Sequence, residues 1–253
     1  MKDNAKDNHE RRNISEEEKE INEKSNNRVM EQEQMMQKVP WLDIRLSEGM
    51  MTYLWDIINC LDSDGQSPSQ SSKRYNAGNI SRTTYMDDKW TTASGIQDED
   101  NYLYKNVLKE MTEHVYYKDW SNYHDVYVSK IEPPPTFTLD KMWVNFQKQH
   151  EFNPPHYHIG LYSFVVFMKI PTHWKEQHEL PIGFQSTAPR ASDFQFILGL
   201  PQGRIQTFEI PLSPEDEGRL LFFPAWLHHQ VFPFYGTEEE RVTISGNILI
   251  DIK

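Results

Sequence analysis

A mainly β domain of the sandwich or jelly-roll kind, with helices packed ahead of it, is what this sequence predicts. Three observations predict it. Beyond Trp120 the apolar residues recur at every second position instead of at helical spacing. Strand-like segments fall at 136–149, 159–170, 181–186, 193–199, 204–210, 217–223 and 240–252, separated by Pro, Gly and Asn turn signals. That half of the chain shows no convincing helical stripe, and short strands punctuated by turns close on themselves as sandwiches or rolls.

In chain order, residues 1–38 are almost entirely polar. Ser15 with Glu18 makes a capping box, but the few apolar residues hold no period, so a disordered, solvated tail is expected. A globular part at 39–253 follows, divided into a helical and loop portion, 39–120, and a β core, 121–253. Ser47 is a good N-cap. Met50, Met51, Leu54, Trp55, Ile58 and Leu61 then recur at helical spacing, so 48–61 reads as an amphipathic helix. A Ser-, Asn- and Gln-rich loop runs from Asp62 to Ser81, and the whole stretch from Asp62 to Gly95 is a candidate lid or substrate contact. Residues 98–117 form a second helix with Leu103, Val107, Leu108, Met111 and Val115 on one face. Tyr123, Val126 and Val128 begin the strand-like sequence.

Composition narrows the function. A net charge of -12 argues against non-specific binding to nucleic acid or an acidic membrane. No apolar run is long enough to span a bilayer, and the start lacks the apolar core of a signal peptide. The single Cys60 excludes an internal disulfide and fits a reducing cytoplasm.

Two segments carry chemistry. In Asn153-Pro-Pro-His156-Tyr-His158, histidines two apart point the same way in an extended chain. Imidazoles so placed begin a metal site, although His-x-His alone is weak evidence. The second segment is Leu221-Phe-Phe-Pro-Ala-Trp-Leu-His228-His229, followed by a turn and the strand from Arg241. There Arg241, Thr243, Ser245 and Asn247 alternate with Val242, Ile244 and Ile248, so one face of a buried strand is polar and charged. Buried polar groups need partners, and an arginine fork suits a carboxylate. A proximal histidine, a distal histidine and an arginine beyond it, in that order, are the layout of a non-haem iron site that binds a keto acid. Asn145, on the face opposite Val144 and Phe146, and Ser163 are further candidates for contacting the cofactor. His114, His124, His150, His173 and His178 lack such context and read as surface or supporting residues. Asp193 has no context that would make it a ligand.

On these residues the chain resembles the 2-oxoglutarate/Fe(II)-dependent oxygenases common in marine bacteria and their phages. The matching pieces are Trp143-Val-Asn145, Asn153-Pro-Pro-His156-Tyr-His158, Ser163 with its strand, Leu221 to His229, and Glu240-Arg241-Val-Thr243-Ile-Ser-Gly-Asn247. They span about 136–253 of the sequence. The resemblance implies a double-stranded β-helix (a cupin-like jelly roll), with Fe(II), 2-oxoglutarate and O2 as reactants and succinate and CO2 as by-products. It places the distal ligand at His229, because relatives carry proline where His228 stands. It assigns Arg241 to the keto acid, with Thr243, Asn145 and Ser163 beside it. The usual His-x-carboxylate is absent. Either His158 takes the carboxylate's place beside His156, or His158-Ile-Gly160 leaves a two-histidine iron of the kind that takes chloride in halogenases. The expected reaction is hydroxylation of a small molecule or a protein side chain in a bacterial or phage-infected cytoplasm. The alternatives are a non-catalytic binding or virion module, and a cupin-type enzyme that needs no keto acid.

Overall fold

A computed structural model describes residues 41–63, 77–86, 90–91, 97–98, 101–119, 134–183 and 185–251. The polar tail, most of the Ser/Asn-rich loop and the strand-like sequence around Val126 lie outside the described residues.

Two antiparallel sheets form the β core. The larger has six strands in the order β1-β10-β7-β12-β5-β2, and the smaller has four in the order β6-β11-β8-β9. In the large sheet these are β1 (Leu42–Arg45), β2 (Arg82–Met86), β5 (Thr136–Gln147), β7 (Tyr162–Lys169), β10 (Arg219–Pro224) and β12 (Arg241–Asp251). The small sheet contains β6 (Asn153–His156), β8 (Phe194–Gly199), β9 (Ile205–Ile210) and β11 (His228–Val231). A separate two-stranded ribbon pairs β3 (Trp90–Thr91) with β4 (Gln97–Asp98). This is the mainly β, jelly-roll architecture that the sequence predicts.

Alternation along the strands sorts side chains to two faces of the large sheet. Met142, Val144, Phe146, Val166, Phe222 and Ile244 fall on the outer face, where they join one buried cluster with the helices. Helix α1 (Glu48–Ser63) contributes Met50, Leu54, Ile57 and Ile58 to that cluster, and Ser47 caps it by accepting from the Met50 N–H at 3.3 Å. The second helix, α2, is α-helical over Lys109–His114, with π turns at Tyr104–Leu108 and Val115–Asp119 on either side. Its buried Leu103, Leu108, Val115 and Tyr116 extend the cluster. On the inner face Val165, Phe167, Leu221 and Phe223 pack against Phe194, Phe196 and Ile210 of the small sheet. Trp41 stacks on Phe196 with ring centroids 4.5 Å apart and belongs to this second cluster.

Some elements differ from expectation. The described residues of 181–186 form no strand. Pro181 and Gly183 sit in turns that follow a short helix, α3 (Trp174–His178), capped by His173. The candidate lid over 62–95 is interrupted by β2, whose Arg82–Met86 pairs with Met142–Phe146 of β5. Asn153-Pro154-Pro155, a turn signal in the sequence, belongs instead with His156 to an edge strand. Proline has no N–H to contribute, which an edge position tolerates.

Candidate metal centre and keto-acid pocket

The small sheet's edge pair builds the candidate metal centre. Antiparallel pairing of β6 with β11 sets His156 directly opposite His229. The two histidine segments are tied again beyond the strands, where the His158 N–H donates to the Ala225 carbonyl at 2.8 Å and the Ala225 N–H to Leu161 at 3.0 Å. Gly160 turns the chain with φ of 132°, and a Cβ there would stand 2.9 Å from the Ile248 carbonyl oxygen. A carboxylate side chain at 160 therefore has no room, and Gly160 serves the backbone.

His156, His158 and His229 converge. One ring nitrogen of each lies within 4.8 Å of those of the other two. Among the described residues no carboxylate joins this group. Local hydrogen bonds set two of the tautomers. The His156 Nδ1–H donates to the Pro154 carbonyl at 2.7 Å, and the His229 Nδ1–H to Leu227 at 3.0 Å. Each leaves Nε2 with its lone pair, as a metal ligand needs. His158 lies 5.5 Å from the Trp143 ring. Phe194 stacks on His229, with planes 16° apart, and Phe223 meets it edge-on.

Burial holds all three imidazoles toward the neutral form. It lowers His229 well below the usual histidine value, with the fields of His156 and His158 adding to the effect. Burial and then His156 bring His158 down to about 4. Burial also lowers His156, against the opposing hydrogen bond to Pro154. Neutral imidazoles that converge and are backed by aromatic rings fit a divalent transition metal.

A cavity of about 770 Å³ opens beside the histidines. Arg241, Thr243, Ser245 and Asn247 of β12 line it, with Trp143, Asn145 and Gln147 of β5. Arg241 is 1% exposed. Its Nη2 donates to the carbonyl and hydroxyl of Ser192 at 2.9 and 2.6 Å, and Phe234 lies 5.1 Å from its guanidinium carbon. Among the described residues Nε and Nη1 have no hydrogen-bond partner. Two orphaned N–H groups on a buried cation in the wall of a cavity fit a carboxylate ligand. Desolvation brings the guanidinium down to about 10, still charged at neutral pH, and Asp193 offsets part of that effect.

The other candidates divide. Asn145 faces the cavity and accepts from the Thr83 hydroxyl at 2.9 Å. Ser163 is fully buried and is not part of the cavity wall. Its hydroxyl bonds the Gly246 carbonyl at 3.0 Å and Asn247 Oδ1 at 3.1 Å, so it ties β7 to β12 and aims Asn247. His178, read as a surface or supporting residue, pairs with fully buried Asp193 at 2.9 Å. Asp193 lies outside the histidine group. The support that Ser192 gives Arg241 was missed; Ala191-Ser-Asp-Phe carries no periodic or motif signal that would reveal it.

Fold and site together give a jelly roll with a three-histidine group that could hold a metal ion, beside a cavity lined by Arg241. Residues 141–247 match the family model described as "Putative 2OG-Fe(II) oxygenase". The chain is an enzyme, a 2-oxoglutarate/Fe(II)-dependent dioxygenase, and Fe(II) and 2-oxoglutarate are its cofactors. Solved structures similar to the chain include a prolyl-4-hydroxylase from Pseudomonas putida, 14% identical over 83% of this chain and 92% of that one, with a TM-score of 0.47. A viral collagen prolyl hydroxylase from Paramecium bursaria Chlorella virus-1 is 14% identical over 84% and 97%, with a TM-score of 0.46. A Trichoplax adhaerens prolyl hydroxylase, solved with a peptide fragment, is 13% identical over 94% of each chain, with a TM-score of 0.45. No curated protein matches the sequence. No described helix is long and apolar enough to cross a membrane.

Proposed function

We propose that the chain hydroxylates a small-molecule or protein side-chain substrate, consuming 2-oxoglutarate and O2 and releasing succinate and CO2. The observation that carries this reading is the pair of orphaned N–H groups on buried Arg241, in the wall of the cavity that also holds the three histidines.

In this reading His156, His158 and His229 hold Fe(II) through three neutral nitrogens, and Arg241 takes the distal carboxylate of the keto acid, with Thr243 beside it on the same strand face. Bound together, Fe(II) and 2-oxoglutarate supply O2-dependent oxidation of a C–H bond, coupled to decarboxylation of the keto acid. The chain contributes position and environment. Phe194 and Phe223 fix and dry one side of His229, and the carbonyls of Pro154 and Leu227 keep two rings in the ligating tautomer. Arg241 orients the anion by charge-assisted hydrogen bonds. The cavity extends past the histidines to Tyr85, Tyr157 and Ile159, where a substrate has room.

The third histidine favours hydroxylation over halogenation, because His158 fills the place that a halide would need vacant. Succinate formation from 2-oxoglutarate, followed anaerobically and then with O2 in the Fe(II)-loaded protein, tests the reading. Oxygen-dependent succinate that disappears in Arg241→Ala is expected. Succinate formation unchanged in that variant would sink the role given to Arg241, and no succinate from the wild type under O2 would point to a cupin-type enzyme without a keto acid.

A further inference from the structure

Behind Arg241 lies an ionisable pair to which the proposed chemistry gives no role. Asp193, at the entry to β8, has no exposed surface. Its Oδ1 is 2.9 Å from His178 Nε2 on α3, and among the described residues its Oδ2 has no hydrogen-bond partner. The residue before it, Ser192, adopts φ of 74° and grips Arg241 Nη2 through both its carbonyl and its hydroxyl. The Ser192 hydroxyl is within 3.1 Å of Thr172 Oγ1. One short segment thus holds the guanidinium from behind and sets a buried carboxylate within its field, leaving Nε and Nη1 turned to no protein partner.

The charge count of this region changes when an anion arrives. With the pocket empty, the cation of Arg241 faces the carboxylate of Asp193. A ligand carboxylate on Nε and Nη1 places two anions around one buried cation, and an uncompensated buried charge is costly. The charged and titratable groups around Asp193 are His178 on α3, Arg190 in the turn ahead of β8, and Arg241 on β12. Of these, Arg241 is the one whose field the ligand would screen.

We propose that seating the keto acid's carboxylate on Arg241 is coupled to uptake of a proton by the Asp193–His178 pair, which makes this pair the charge regulator of the cofactor pocket. The inference rests on the reading that Arg241 takes that carboxylate. The pair is poised for the role. Burial raises the Asp193 carboxyl to about 6, against the opposing fields of His178, Arg190 and Arg241. A second anion at Arg241 raises it further. Since the ligand-bound form holds the proton at higher pH than the free form, affinity is greatest below the free value. It falls as pH rises above it, by up to about tenfold per pH unit for one proton.

The test is calorimetric titration of 2-oxoglutarate into the anaerobic, Fe(II)-loaded full chain, in buffers of different ionisation enthalpy. Expected are a buffer-dependent heat corresponding to uptake of up to about one proton, and a Kd that rises over about pH 6.5 to 8. Asp193→Asn should bind with no proton uptake and a flat pH profile, and so bind more tightly than the wild type at the alkaline end. A purely structural role for Asp193 predicts weaker binding at every pH. His178→Gln tests the pair from its other side and should change the amount of proton taken up. Tight wild-type binding with buffer-independent heats would overturn the coupling and leave the Arg241 reading standing. So would undiminished uptake in Asp193→Asn. Absence of wild-type binding at any pH would overturn both. If Asp193→Asn does not fold, the wild-type buffer dependence still decides.

Discussion

The inner face of the large sheet has two halves, built from the same alternation of strand residues. Along β7 and β10 the inward positions are Val165, Phe167, Leu221 and Phe223, and the small sheet closes over them. Along β5 and β12 they are Trp143, Asn145, Gln147, Arg241, Thr243, Ser245 and Asn247, and a cavity stands there instead. The difference lies in what each half has to meet. The closed half gains stability from apolar burial, about 25 cal/mol for each Å² removed from water. The open half keeps polar groups pointed at a space that protein does not fill, and Arg241 retains two unmet donors there. His229 stands at the seam. Phe194 and Phe223 of the closed half pack on its ring, and the ring itself borders the cavity.

Substitutions on either side of that seam should separate the two roles. The largest effect is expected at the seam, where His229→Ala should weaken Fe(II) binding by at least about 100-fold and take succinate formation to background, measured by metal titration and turnover. In the closed half, Phe196→Ala should cost about 3–5 kcal/mol of stability in denaturant unfolding, because Phe196 is fully buried. In the open half, Arg241→Ala should weaken 2-oxoglutarate binding by about 2–5 kcal/mol and leave Fe(II) affinity near wild type, as read by separate titrations. Gly246→Ala, on the strand that carries the polar row, should destabilise by about 1–3 kcal/mol. Its new Cβ would stand 2.7 Å from the Phe164 ring and 2.9 Å from the Lys141 carbonyl oxygen. The smallest effect is a slope. Asp193, raised in the fold to about 6 from 3.8, contributes stability that is full at acid pH and is lost as pH climbs through that range. Asp193→Asn should flatten this part of the stability–pH profile in thermal melts.

The same two halves explain what could be read from the sequence. β7 was legible as a continuous apolar run, because both of its faces are buried. β12 was legible as polar–apolar alternation, because its faces meet opposite surroundings. β2, β6 and β11 were not. β2 reads Arg-Thr-Thr-Tyr-Met, a polar strand inside loop-like sequence whose Thr83 and Tyr85 face the cavity. β6 carries two prolines, and only its place at a sheet edge makes that sequence a strand. β11 is four residues long. Spacing brought out His156, His158, His229 and Arg241 as candidates, and the fold brings them to one cavity. The Ser192–Asp193–His178 support was hidden, because it is assembled by a left-handed backbone turn and a short helix that leave no period behind. The convergence of His156 and His158 with His229 needed the fold as well, because it joins segments far apart in sequence.

The three imidazoles bring no negative charge to the metal they would hold. A site made only of neutral nitrogens discriminates weakly against the later divalent ions, whose affinity for such donors rises toward copper and stays high for zinc. The occupant in a cell would then be set largely by which ion is supplied. Protein purified in the presence of zinc would carry an ion that grips the same three rings and cannot change oxidation state. Exchange to Fe(II) under a chelator would be the step that restores chemistry, and trace copper its most effective poison.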